Sequence, residues 1–453
     1  MDNIRKTSLL DYRRFLFSEM GRAKNLDAVI DIFIKNIGLF NNVDIVYVNK
    51  GESNDLAVPM NLDFSFSKGV LQSNFESDAL FLLNADSVSL AHVQKDYRFG
   101  TLYDISLDTQ IISYIDRHSR GISDSKEINQ VVNEITKKRK FASAMNPSPY
   151  LLENGLKDGT VSKDSFRSTF NFFKVLYTSH SKFRITATIS AYLQTRLLAF
   201  SYKKMLKNHR LDIFHDRFKI VYVVLMKMYT ISIKNKSYEK KVIELLEYCN
   251  NELHRMPIAE LILSFEFFKK GTKLLFFSKF QKNHKNMLNV IRNSSWDIFH
   301  LRVLDIYMTN VRHKKARLTL PFFFSVDKRL NDIAKLIKFK MAVVDYNTNQ
   351  THAFFSNNIV WDAVTKFKLE KYFAFKNHQQ RINQSVNVNQ LIENMEQEIE
   401  ILERWCMLNN FQREGSISNS HVGKDFETLI WRVCNKWVIL MLIEIIKNSM
   451  KNI

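Results

Sequence analysis

The sequence predicts an α/β core interrupted and extended by large all-α regions. Three observations point there. Short apolar runs end in a carboxylate and turn at once into helical patterns, at Asp108 and again at Asp327. Between and beyond these units, apolar residues recur at three- and four-residue spacing over long stretches, the period of a helix with one buried face. Gly (11) and Pro (5) are scarce and Phe (36) is abundant among 453 residues. Few turn-formers and many large apolar side chains favour long helices around an aromatic core over a disordered or all-β chain.

Taken in order, residues 1–100 read as an N-terminal accessory α/β region. Leu9 to Leu39 has helical spacing, interrupted near Gly21 to Asn25, and Val43 to Val48, Leu62 to Phe66 and Ala79 to Leu83 read as strands. Ser106 to Ile115 is a strand–acid–helix unit centred on Asp108. Lys126 to Lys140 is a polar helix, and Phe141 to Met145 a short strand. Asn146-Pro147-Ser148-Pro149 reads as a loop, because proline disfavours helix at the residue before it. Tyr150 to Leu156 then starts a helix that carries Glu153.

Residues 159–293 form a basic helical insertion, with helices expected over 166–177, 185–206, 214–233, 238–254 and 259–283. The α/β pattern returns with a helix from Ser294 to Met308 that holds Asp297 in its first turn. Leu320 to Val326 is a strand ending at Asp327, Lys328 to Ile337 a helix, and Met341 to Val344 a strand. Residues 346–453 are a C-terminal helical region. Its most hydrophobic window, Leu429 to Ile446, contains Arg432, Asn435, Lys436 and Glu444 and reads as a buried amphipathic helix.

The net charge is +20, and residues 1–158 hold 19 basic and 21 acidic side chains, so the whole excess lies after residue 158. Such a field attracts polyanions, either nucleic acid or an anionic membrane surface. Within the insertion, Lys269, Lys270 and Lys273 interleave with Phe267, Phe268, Phe276, Phe277 and Phe280. That pattern fits a core stripe with a solvated basic face, which can still contact phosphates, and it also fits stacking platforms for bases. The three cysteines, Cys249, Cys406 and Cys434, lie far apart and form no CxxC pair, as expected of reduced thiols in a cytoplasmic protein. No signal peptide or transmembrane segment is expected. Gly-rich phosphate loops of Walker type, HExxH and GxSxG are all missing from the sequence, so ATPase, zinc-protease and α/β-hydrolase chemistry have no support.

Four carboxylates share one kind of place, at a strand–helix transition or on a helix close to one: Asp108, Glu153, Asp297 and Asp327. Each has a purely structural reading. Asp108 and Asp327 suit helix N-caps, Asp297 completes a capping box with Ser294, and Glu153 suits a solvent-facing helix position. Gathered together, four acids repel one another unless a cation neutralises them, and hard oxygen donors select Mg²⁺ or Mn²⁺.

These segments resemble PIN-like domains, a family of metal-dependent nucleases. Leu107-Asp108-Thr109-Gln110-Ile111-Ile112 is similar to the family's opening strand and acid, and Ser143 through Glu153 to its second strand and helix-borne Glu. Trp296-Asp297-Ile298-Phe299-His300 looks like the third acid, and Phe324-Ser325-Val326-Asp327-Lys328-Arg329-Leu330 like the last motif. The resemblance covers residues 101–158 and 294–345. It implies a discontinuous nuclease core, three-layer α/β/α with a mostly parallel sheet, closed by the strand Met341 to Val344. It implies Mg²⁺ or Mn²⁺ held by Asp108, Glu153, Asp297 and Asp327, with Thr109 and Ser325 orienting the carboxylates. Lys269, Lys270, Lys273, Lys328 and Arg329 would bind the substrate, RNA in preference to DNA. Members of the family are often toxins, RNA-processing enzymes or immune effectors, and the large insertion suggests a regulated effector in antiphage defence with a protein partner or regulator. The competing reading is a non-catalytic helical subunit of a defence complex that binds nucleic acid or protein.

Overall fold

A computed structural model describes residues 2–48, 57–59, 69–76, 79–85, 101–122, 125–138, 143–158, 161–179, 181–281, 286–310 and 318–413. The expected strand Leu62 to Phe66 and the expected helix Leu429 to Ile446 lie outside these residues. Nine strands are described: β1 (Val43–Val48), β2 (Ala57–Pro59), β3 (Val70–Ser73), β4 (Ala79–Leu83), β5 (Thr101–Leu107), β6 (Met145–Asn146), β7 (Leu318–Ser325), β8 (Phe339–Asp345) and β9 (Gln350–Phe355).

They form two sheets. One is antiparallel throughout, in the order β2-β4-β1-β8-β9. The other is mixed, in the order β3-β7-β5-β6, with β5 parallel to both β6 and β7 and β3 antiparallel to β7. A bridge from Phe75 to Phe339 joins them, and the Phe339 amide donates to the Asn74 carbonyl at 2.6 Å.

This corrects the expected fold class. The chain is mostly helical, and its strands do not make one mostly parallel sheet between two helical layers. The reason lies in the partners of two strands. The free edge of β7 is taken by β3, which arrives antiparallel from the N-terminal region. The strand expected to close a parallel core, Met341 to Val344, instead pairs with β1 and β9 in the antiparallel sheet. Residues 1–100 therefore contribute strands to both sheets.

The helices account for most of the core. Asp212–Ser232 is the hub, because its residues Val221 to Met226 are buried on every side. A helix apolar all round belongs inside a protein, and this one packs against Met287–Arg302, Val388–Arg413, Tyr238–Asn251 and Ile258–Lys270. The expected helix over 259–283 ends at Lys270, where Gly271 takes a φ of 61° and two short 3-10 turns follow. Phe267, Phe276, Phe277 and Phe280 are buried there, so they are core and not platforms for bases.

Two further boundaries differ from expectation. The helix carrying Asp297 runs Met287–Arg302, so Asp297 sits well inside it and Ser294 caps nothing. The Ser294 hydroxyl is not needed, because the apolar period continues upstream through Ile291 and Met287. The helix carrying Glu153 begins at Ser148, with Pro149 in its first turn. Proline is tolerated in a first turn, where its missing N–H would have no helical partner.

Candidate active site

The site is built on the paired carboxyl ends of β5 and β7. Leu107 faces Phe324 in a parallel register, and the Asp108 amide continues the ladder by donating to the Phe324 carbonyl at 3.0 Å. Asp108 therefore comes to lie beside Ser325, 217 residues later in the chain. The apolar residues of both strands fix this pairing: Ile105, Leu107, Phe322, Phe323 and Phe324 are all buried. Clefts at the carboxyl ends of parallel strands are where open sheets bind ligands.

Both strand-end acids do cap helices. The Asp108 carboxylate accepts the Gln110 amide at 3.4 Å, at the start of Thr109–Ser119. That of Asp327 accepts the Arg329 amide at 2.8 Å, at the start of Lys328–Leu336. Capping does not exhaust either group. Asp108 is buried and also receives the Ser325 hydroxyl. The same hydroxyl oxygen accepts the Asp327 amide at 3.0 Å, so Ser325 ties the two acids together. Asp327 is clamped by the Arg329 side chain, with Nη2 at 2.7 Å and Nε at 3.0 Å.

Glu153 joins the cluster from the helix Ser148–Asp158. It accepts the Thr109 hydroxyl at 2.6 Å and lies 3.4 Å from Nε2 of His300. It is not the solvent-facing residue its helix position allows, since its side chain is only 16% exposed. His300 stands one helical turn after Asp297 on Met287–Arg302, so both reach the same face. Its ring is buried, stacked on Phe323 and tilted against Trp296, and Nδ1 has no hydrogen-bond partner among the described residues. His300 is the site residue that the sequence motifs did not single out. Its three-residue spacing from Asp297 was the signal that could have found it.

Asp297 is recessed among the other three. Among the described residues, no hydrogen bond or ion pair neutralises it. Burial and then the fields of Asp108, Glu153 and Asp327 hold its carboxyl well above the usual carboxylate range, against an opposing pull from Arg329. Burial also raises Asp108, opposed by the Ser325 hydroxyl and His300. Asp327 goes the other way: burial alone would raise it, but the bonds from Arg329 bring it below its ordinary value.

The four acids anticipated from sequence thus share one electrostatic neighbourhood, with Thr109 and Ser325 bonded to two of them. Among the described residues, no three His, Cys, Asp or Glu side chains stand in the arrangement of a ready-made metal centre. The carboxylates turn toward hydroxyl, imidazole and guanidinium groups instead.

No family model, curated protein or solved structure matches this chain.

Of the basic residues, Lys328 and Arg329 are exposed at the start of their helix, next to the acids. Lys269, Lys270 and Lys273 are exposed on the far side of a buried Phe cluster whose 3-10 turn, Leu275–Phe277, packs against that helix. Lys270 is paired with Glu266. Among the described residues, no helix is long and apolar enough to cross a membrane.

A further, partly buried acid lies on the same strand as the site. Asp104, on β5, accepts Asn146 Nδ2 and the Ser106 hydroxyl, each at 3.0 Å. Asn146 in turn accepts the Ser148 amide at 2.9 Å, at the start of the helix that carries Glu153. Burial pushes Asp104 up to about 6, opposed by those two donors.

Proposed function

We propose that this protein is a metal-dependent nuclease that hydrolyses phosphodiester bonds, with RNA as its preferred substrate. The proposal does not depend on a PIN-like fold. What supports it is that Asp108, Glu153 and Asp327, from three separate stretches of chain, all act electrostatically on Asp297, with Asp108 at the carboxyl end of β5 and Asp327 just beyond that of β7. A purely structural set of acids would each find a direct partner, whereas Asp297 makes no ion pair or hydrogen bond with its side chain among the described residues and faces three like charges, opposed by the field of Arg329. All-oxygen donors of this kind suit a hard divalent cation. Bound there, Mg²⁺ or Mn²⁺ would neutralise the acids, activate a water and stabilise charge on the phosphoryl oxygens.

The remaining roles fall to the chain itself. Asp297 would contribute the ligand least committed to other bonds. Ser325 would hold Asp108, and Thr109 would hold Glu153, in the orientations they need. Lys328 and Arg329 would receive substrate phosphates, and Lys269 and Lys273 would extend the basic surface. A tie to antiphage defence rests on the family resemblance alone.

A second reading, a non-catalytic nucleic-acid- or protein-binding subunit, draws on the Asp327–Arg329 pair and the lack of a ready-made centre among the described residues. One experiment separates the two. Purified protein is incubated with single-stranded and structured RNA in Mn²⁺, beside Asp108→Asn and Asp297→Asn variants checked for folding. A nuclease cleaves, and both variants lose cleavage while still binding RNA. Equal cleavage by variants and wild type, or binding without cleavage by all three, removes the nuclease reading.

A further inference from the structure

The helix Arg184–Lys207 is covered on one narrow side only. It packs against Lys163–Thr178, where the Tyr192 ring meets Phe166 and Phe170 edge-on, and three of its residues, Ala191, Thr195 and Tyr202, are buried. On the opposite side, Ile185, Ile189, Leu193 and Leu197 follow at four-residue intervals and Phe200 comes three later, which lines them up along the helix. All five are exposed, Ile185 to 79%, Phe200 to 68% and Leu197 to 62%. Single exposed apolar residues are ordinary, but a continuous row about 22 Å long marks a surface that something covers.

The charges say what kind of partner fits. The helix carries Arg184, Arg196, Lys203, Lys204 and Lys207, all exposed, and no Asp or Glu. A second copy laid against it would bring like charges together. A nucleic acid would satisfy the cations but only Phe200 of the row, because the four aliphatic side chains offer bases no ring to stack on. The row also stands on a convex helix. An anionic lipid surface meets both demands, taking aliphatic side chains among its acyl chains and basic ones at its headgroups.

We propose that Arg184–Lys207 docks this protein onto anionic membrane surfaces, lying in the interface with Ile189, Leu193, Leu197 and Phe200 inserted and Lys203, Lys204 and Lys207 at the headgroups. The helix lies on the bilayer and does not span it. The site is separate from the acid cluster, so it stands whether or not the protein is a nuclease.

The test is co-sedimentation of the full chain with vesicles of phosphatidylcholine alone and of phosphatidylcholine mixed with phosphatidylglycerol. Wild type is expected to bind the mixed vesicles and not the neutral ones, and to be released by salt. Leu193→Glu with Leu197→Glu should weaken binding at least about tenfold. Lys203→Gln with Lys207→Gln should weaken it about fivefold per residue. All these positions are exposed, and an unchanged melting temperature checks the fold. Equal binding to neutral vesicles, no binding to either, or binding untouched by the leucine variants overturns the proposal. So does a dimer in solution, or retention on RNA, that the leucine variants abolish, since another partner would then cover the row.

Discussion

Replacing Asp104 by Asn should change stability in a way that depends on pH. Asp104 is partly buried on an inner strand of the mixed sheet, and desolvation raises its carboxyl from an ordinary 3.8 to about 6. A carboxyl raised on folding stabilises the protein only while it holds its proton. That contribution is complete below pH 3.8 and is lost as pH rises through about 6. The rise corresponds to about 3 kcal/mol, at 1.36 kcal/mol for each tenfold change in proton affinity. The introduced carboxamide keeps both hydrogen bonds if its oxygen faces Asn146 Nδ2 and its nitrogen faces the Ser106 hydroxyl, which can accept. The variant should therefore gain about 3 kcal/mol over wild type at pH 8, shrinking to under about 1 kcal/mol near pH 4. Urea unfolding of both proteins between pH 4 and 8 measures the difference directly. A deficit of constant size at every pH, or a gain that grows toward acid, would refute the reasoning.

Three other outcomes follow from the same geometry. Ser325→Ala removes the hydroxyl shared by Asp108 and the Asp327 amide, and should cost about 1.5–3 kcal/mol by thermal unfolding as well as cleavage activity. Stability and activity that both match wild type would show that this hydroxyl orients nothing. Arg302, at the end of the Asp297 helix, is partly buried between Glu260 and Asp305. Arg302→Ala leaves Glu260 without its cation, while Asp305 keeps Arg217, and should cost about 3 kcal/mol, read as a fall in the urea midpoint. Gly69 has a φ of 107°, and a Cβ there would come 2.7 Å from the Phe324 ring and 2.9 Å from the Ser325 carbonyl. Gly69→Ala should destabilise by about 1–3 kcal/mol and lower activity with it, and a neutral result in the same assays would contradict that close approach.

Local features of this protein were legible in its sequence, and long-range ones were not. The unit from β5 through Asp108 into Thr109–Ser119 follows from an apolar run, a capping acid and an apolar period in the next helix. The same holds for β7, Asp327 and Lys328–Leu336. The partner of each strand does not follow, because apolar residues in Met341 to Val344 fit the edge of either sheet equally well. It took β3 on one side of β7 and β1 beside β8 to decide the topology. The acids were anticipated because two end strands and two lie on helices next to them. The place of Asp297 differs from the sequence reading: it is partly buried in mid-helix, not in a first turn, and burial is a property of the packed whole. His300 was missed because a lone histidine in an apolar stretch reads as core, which it also is.

The central claim is that four dispersed acids gather to hold a divalent ion. Titration of the metal-free protein with Mn²⁺, followed by the loss of free-ion signal in electron paramagnetic resonance, tests it without any substrate. One saturable site is expected in wild type, competed by Mg²⁺ and strongly weakened in Asp108→Asn and Asp297→Asn. Absence of saturable binding in wild type, or binding of equal strength in folded samples of both variants, would contradict it.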